Sequence, residues 1–226
     1  FPKPSAVSFD AFGTLYTPKE SIYLQYHKIA KNYNIDVPVK TINENFGKFF
    51  KELQEKYPNY GKNQDLNAEK WWGKLITQIF EKETRDGKVP NELIKALLNY
   101  FTSKEAYKTF NDIIPFLTKL QENNIPLIIA SNSDDRLKLI IESLKLNKFF
   151  PNENIYLSYD IDVAKPNPVF FDKILNNLSS KTGKSIEELK KNYWHVGDNF
   201  KLDYELANKY GLNSILIDRN FETGFL

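Results

Sequence analysis

Residues 6–15 read Ala6-Val7-Ser8-Phe9-Asp10-Ala11-Phe12-Gly13-Thr14-Leu15. The first four form a short β-type run that stops at an aspartate, and a turn signal with Pro18 follows. From about Ser21 to Phe101 the pattern is helical instead. Ile22, Tyr26, Ile29, Ala30 and Tyr33 repeat at three and four residues, as do Ile42, Phe46, Phe49, Phe50 and Leu53. Trp71, Trp72, Leu75, Ile76, Ile79 and Phe80 make a third stripe, with Asn67 as its N-cap. Pro90 suits the first turn of a fourth helix, Leu93 to Phe101, and the polar stretch Asn59 to Asp65 separates the second helix from the third. No β-like run interrupts this block. One strand cannot be a domain, so the first run must join a later sheet across a helical insertion of roughly eighty residues.

That later sheet is legible. After Asn111 helix and strand alternate: helix Ile113–Asn123, strand Leu127–Ala130, helix Asp134–Leu144, strand Asn154–Leu157, helices Val169–Leu178 and Ile186–Asn192, strand Tyr193–Val196, helix Phe200–Tyr210 and strand Asn213–Ile217. Strands buried on both faces and joined by helical crossovers make a parallel sheet.

Composition removes many functions. The 226 residues suit one large α/β domain or a core with an insertion. Lys and Arg total 31 against 29 Asp and Glu, a net charge of +2, so no overall field favours nucleic acid or an anionic membrane. With 41% hydrophobic and 27% charged residues the chain reads as soluble and globular. Its longest apolar stretch, Ile125 to Ala130, falls far short of a bilayer span. The absence of cysteine excludes disulfides, thiolate metal sites and a cysteine nucleophile, and fits a reducing, intracellular and cytoplasmic setting. Two histidines, His27 and His195, cannot make an HExxH zinc site. The nine glycines lie at least 12 positions apart, so dinucleotide fingerprints, P-loops and nucleophile elbows cannot occur. With Phe at position 1 and no methionine anywhere, a longer natural N-terminus is expected, and an organelle-targeting peptide upstream stays open.

Four polar clusters fall at or near the carboxyl ends of expected strands, where open parallel sheets bind ligands. They are Asp10 with Gly13 and Thr14, Ser131-Asn132-Ser133, Lys165-Pro166, and Gly197-Asp198-Asn199 with Asp203. Each alone is ordinary turn and capping chemistry. Their order and company together resemble the haloacid dehalogenase (HAD) superfamily. Phe9 to Leu15 resembles its first motif, Ile129-Ala130-Ser131-Asn132 its second, Ala164-Lys165-Pro166-Asn167-Pro168 its third, and His195-Val196-Gly197-Asp198-Asn199 through Asp203 its fourth.

The resemblance implies an α/β fold, a Rossmann-like parallel sheet (residues 1–17 and 106–226) with an inserted all-helical cap domain (18–105). It implies Asp10 as nucleophile, Ser131 and Lys165 as catalytic partners, and Gly13, Thr14 and Asn132 at the substrate. It also implies Mg²⁺ held by Asp10, Asp198 and the backbone carbonyl of Phe12, with Asp203 beside them supporting the metal's waters or Lys165. The expected partner is a small, phosphorylated substrate, with neither nucleic acid nor membrane; oligomeric state is not readable.

One position departs from the pattern. HAD phosphatases carry an acid two residues after the nucleophile, and this chain has Phe12. The aromatic resembles dehalogenases, whereas the Gly-Asp…Asp motif resembles phosphohydrolases. Dehalogenases also share a cap arginine, and here arginine stands only at 85, 136 and 219. The leading expectation is a Mg²⁺-dependent phosphohydrolase working through an aspartyl-phosphate and restricted by its missing acid. A catalytically impaired HAD-fold binding protein and a dehalogenase-type C–X hydrolase are the alternatives. The lysines 28, 31, 48 and 51, His27, His195 and the Trp71-Trp72 pair are read as surface or packing residues.

Overall fold

The structure is a computed structural model that describes residues 3–84 and 86–219. The chain begins with β1 (Ala6–Phe9) and β2 (Tyr16–Pro18). Four helices follow, α1 (Ile22–Lys31), α2 (Val39–Lys56), α3 (Ala68–Phe80) and α4 (Asn91–Tyr100). Next come β3 (Tyr107–Thr109), α5 (Ile113–Glu122), β4 (Leu127–Ser131), α6 (Leu137–Ser143), β5 (Ile155–Leu157) and α7 (Ser158–Ile161). The last elements are α8 (Val169–Thr182), α9 (Ile186–Lys191), β6 (Tyr193–Gly197), a π-helical turn Phe200–Glu205, α10 (Leu206–Tyr210) and β7 (Asn213–Leu216).

Two compact units result, one of Phe1–Thr17 with Thr109–Leu226 and one of Pro18–Lys108. In the first, five parallel strands run in the order β5-β4-β1-β6-β7, so the isolated first strand occupies the centre of the sheet. Burial on both faces explains its composition. Ala6 belongs to the cluster built on Ile128, Phe170, Phe171 and Ile174. On the opposite face, Phe9 meets the rings of Phe116 and Phe150 edge-on, each at 6.1 Å between centroids. The second unit packs α1–α4 around Trp71, Leu75, Ile76, Ile79 and Phe80, all essentially buried. Trp71 donates its indole N–H to the Tyr57 carbonyl at 3.2 Å, while Trp72 is half-buried. Asn67 caps α3 as its sequence suggests, accepting from the Lys70 amide at 2.8 Å. Lys28, Lys31, Lys48 and Lys51 are exposed. No helix among the described residues is long and apolar enough to cross a membrane.

Several local expectations need correction. β2, β3 and α7 have three or four residues each, too few to show a period. The helix expected from Asp134 starts only at Leu137, because the Asp134 carboxylate instead accepts from the Arg136 amide and its guanidinium. β7 is an edge strand, and its Ile215 and Leu216 are exposed rather than buried on both faces. The helix expected over Phe200–Tyr210 opens with a π turn, in which the Tyr204 amide reaches back five residues to the Asn199 carbonyl.

Arg219 closes the first unit on itself. Its guanidinium pairs with both oxygens of Asp112 at 2.9 and 3.1 Å, donates to the Thr14 carbonyl at 3.2 Å and lies over the Phe110 ring. Arg219→Leu would leave the Thr14 carbonyl without this donor. It should lower unfolding stability by about 1–2 kcal/mol. Urea titration checks this, and an unchanged midpoint would show that the clamp contributes nothing.

Candidate active site

Register brings the clusters together. Phe9 pairs with Ile129 on one side and Val196 on the other, so Asp10, Ser131 and Asp198 emerge at the same end of three adjacent parallel strands. The Asp10 amide continues the ladder, donating to the Val196 carbonyl at 2.9 Å. Between Asp10 and Asp198 the backbone turns at Gly13, whose φ is +79°. A Cβ there would stand 2.4 Å from Asp198 Oδ2, so both the conformation and the space require glycine. Thr14, fully buried, donates its hydroxyl to Asp198 Oδ1 at 3.1 Å.

Lys165 enters from the loop before α8. Asn132 fixes that loop, accepting from the Lys165 amide and donating to the Lys165 carbonyl, both at 2.8 Å. Lys165 is only 3% exposed, and its ammonium donates to Asp10 Oδ1 at 2.9 Å and to Asp203 Oδ1 at 2.5 Å. Asp203 is held by three donors, since its Oδ1 also accepts from His195 Nε2 at 3.1 Å and its Oδ2 from the Asn199 amide at 3.1 Å. The π turn delivers Asp203 to this place, and Asn199 caps it through bonds from the Lys201 and Leu202 amides. Gly197 makes room, because a Cβ there would sit 2.3 Å from the Asp203 carboxyl carbon. Ser131 and Ser133 share a hydroxyl–hydroxyl bond of 2.9 Å just past β4.

Asp10, Ser131, Lys165, Asp198 and Asp203 therefore converge, while two residues take other places than the sequence suggests. Asn132, expected at the substrate, has both polar atoms on the Lys165 backbone. Thr14, also expected there, holds Asp198. Asp203 stands where a support for Lys165 was expected, buried, with one oxygen on Lys165 and His195 and the other on a backbone amide. His195 was read as packing and instead belongs to the polar network. The register sets it directly across the ladder from Ser8, and two buried polar residues on neighbouring central strands need each other. Phe12 is 45% exposed and meets Tyr16 edge-on.

Three carboxylates crowd together around one ammonium, which touches two of them, Asp10 and Asp203. Oxygens of Asp10, Asp198 and Asp203 lie within 4.8 Å of one another, so with all three ionised two negative charges stay uncompensated. Burial opposes the charge on Asp10 and raises its pKa, and the Asp203 charge adds to this, although Lys165 pulls the other way. Asp198 keeps an exposed side, yet burial of the remainder and the Asp10 charge push it up to about 6. Asp203 falls to about 2, because the bonds from His195 and Lys165 outweigh its burial. Burial disfavours the Lys165 ammonium, but the Asp10 and Asp203 carboxylates raise its pKa regardless. His195 is lowered by burial and stays neutral.

Known proteins resemble this chain in sequence and in fold. A family model for haloacid dehalogenase-like hydrolases matches residues 4–211. An uncharacterised protein of Saccharomyces cerevisiae is 34% identical over 231 residues, spanning 99% of this chain and 75% of that one. Among solved structures, a defluorinating L-2-haloacid dehalogenase superposes with a TM-score of 0.68 at 15% identity, covering 97% of this chain and 85% of its own. A HAD phosphatase from Thermococcus onnurineus gives 0.59 at 22% identity, with coverages of 97% and 89%. This chain belongs to the haloacid dehalogenase-like hydrolase family.

The raised pKa of Asp198 has a sign that can be measured. A folded-state value above the unfolded one favours the protonated form, so its cost grows as pH rises from about 4 through 6. Without added cation, Asp198→Asn should therefore be more stable than wild type at pH 8, by about 1 kcal/mol once solvent screening is allowed for. The gap should close near pH 4. Thermal unfolding across that range checks it, and a gap that widens toward low pH would contradict the assignment.

Proposed function

We propose that the protein is a phosphohydrolase that transfers a phosphoryl group from a small substrate to Asp10 and then to water. The observation that carries this is the Asp10 carboxylate, held by a buried lysine and close to a second acid just past the neighbouring strand. Mg²⁺ suits these hard oxygen donors and their uncompensated charge, and Asp10 and Asp198 would hold it, with the Phe12 carbonyl as the further ligand that the family resemblance implies. When bound, it supplies neutralising charge beside the transferring phosphoryl oxygens.

The chain's own residues do the rest. Asp10 attacks phosphorus, and the bond from phosphorus to its carboxylate forms as the bond to the leaving oxygen breaks. Lys165 keeps Asp10 oriented and, with the Ser131 hydroxyl, stabilises negative charge on the phosphoryl oxygens. Water then attacks phosphorus, releasing inorganic phosphate and restoring the carboxylate. The missing step is protonation of the leaving group, because position 12 holds a phenyl ring. The departing oxygen takes its proton from water, which favours leaving groups that are stable as anions.

General acid assistance is typically worth about 10²–10⁴-fold. With Mg²⁺, wild type should turn over p-nitrophenyl phosphate and acetyl phosphate far faster than sugar phosphates, and Asp10→Asn should lose at least about 10³-fold. Phe12→Asp, once shown to be folded and to bind Mg²⁺, should narrow the aryl-to-alkyl rate ratio. An unchanged ratio would refute the missing-acid account. Metal-independent turnover of 2-haloacids would establish dehalogenase chemistry instead. Binding of Mg²⁺ and phosphate without turnover would favour a binding protein.

A further inference from the structure

The polar network around Lys165 does not end at Asp203. His195 lies opposite Ser8 in the β1–β6 ladder, and its Nδ1 stands 2.8 Å from the Ser8 hydroxyl. Ser8, His195 and Asp203 are all at most 1% exposed, and the Phe171 ring meets the imidazole edge-on at 5.1 Å between centroids. A carboxylate only accepts hydrogen bonds, so the His195 Nε2 carries the proton donated to Asp203. Its Nδ1 then accepts from the Ser8 hydroxyl, which fixes both tautomer and ring plane. The circuit runs from Ser8 on β1 through His195 on β6, Asp203 in the π turn and Lys165 in the loop before α8, and returns to Asp10 just past β1. It starts on the central strand and finishes two residues further along, just past its end.

From this geometry we propose that His195 is a positioning residue which, oriented by Ser8, keeps Lys165 shared between Asp203 and Asp10. The reason lies in one atom. Asp203 Oδ1 accepts from both Lys165 and His195, so each donor weakens the other's hold on that oxygen. Without the imidazole donor, Asp203 draws the ammonium toward itself and away from Asp10. The nucleophile then loses its orienting partner, and the developing phosphoryl charge loses a cation placed against it. Substrate binding through the remaining groups is little altered, so the effect falls on kcat rather than KM. This consequence rests on the phosphohydrolase reading of the Asp10 site.

Two substitutions separate positioning from packing. In His195→Gln the amide N–H reaches the place of Nε2 and can still donate to Asp203. In His195→Asn the shorter amide reaches only the place of Nδ1, retaining Ser8 and losing Asp203. With p-nitrophenyl phosphate and Mg²⁺, His195→Asn should lose about 10–100-fold in kcat with KM within about twofold. His195→Gln should restore most of that loss, with both variants shown to be folded by circular dichroism. ¹⁵N NMR of the wild-type imidazole should show a proton on Nε2 and none on Nδ1, and because Asp203 still accepts from Nε2, Ser8→Ala should keep that tautomer. An active wild type with an equally active His195→Asn, or a proton resident on Nδ1, overturns the proposal alone. A wild type inert toward aryl and acyl phosphates overturns the phosphohydrolase reading, and this role with it.

Discussion

A buried ammonium divided between two carboxylates organises this protein. Lys165 is almost without solvent contact, and an unpaired charge there would be prohibitive, so Asp10 and Asp203 must both be in reach when the core closes. That demand propagates outward. It requires Asn132 to grip the Lys165 backbone, a π turn to bring Asp203 under the end of β6, and Gly197 to leave a gap where Asp203 fits. It also requires a neutral imidazole beside Asp203, because a second buried cation would compete with the lysine. Buried polar networks of this kind specify one arrangement because each member satisfies another.

The same constraint separates the three acids by role. Asp203 is held ionised by donors on both oxygens and works entirely inside the network. Asp10 shares the lysine, and Asp198 has only the Thr14 hydroxyl for support. The acids that face outward are thus the ones whose charge the protein itself leaves least compensated, which is the arrangement that a cation and a phosphoryl group would complete.

Much of this was legible in the residues. The lone strand Ala6–Phe9 had to be central because nothing near it in sequence could pair with it, and alternation after Asn111 supplied its partners. Asp10 and Asp198 were readable because strand ends in a parallel sheet converge, and Lys165, in the loop before α8, only through the family resemblance. What escaped reading was chemistry that depends on exact register or on a local change of helix type. Ser8 and His195 look like incidental polar residues until their pairing is known. Thr14 and Asn132 look like ligand-facing groups, because a sequence does not reveal which backbone or carboxylate will occupy their hydrogen bonds first. The π turn was invisible for a similar reason, since Phe200 to Tyr210 carries an ordinary helical period and only the position of Asp203 demands the wider coil.

The central place of β1 also governs the order in which the molecule can assemble. Its neighbours begin at Leu127 and Tyr193, so the ladder Val7↔Trp194 closes a loop of nearly the entire described chain. Loop-closure entropy and synthesis from the N-terminus both make such a pairing late. The helices α1–α4, by contrast, find their contacts within their own unit, through neighbours a few tens of residues away. During translation the first strand must therefore wait, apolar and unpaired, while the insertion behind it folds. Its brevity and its single hydroxyl limit how readily it pairs with the wrong partner in that interval.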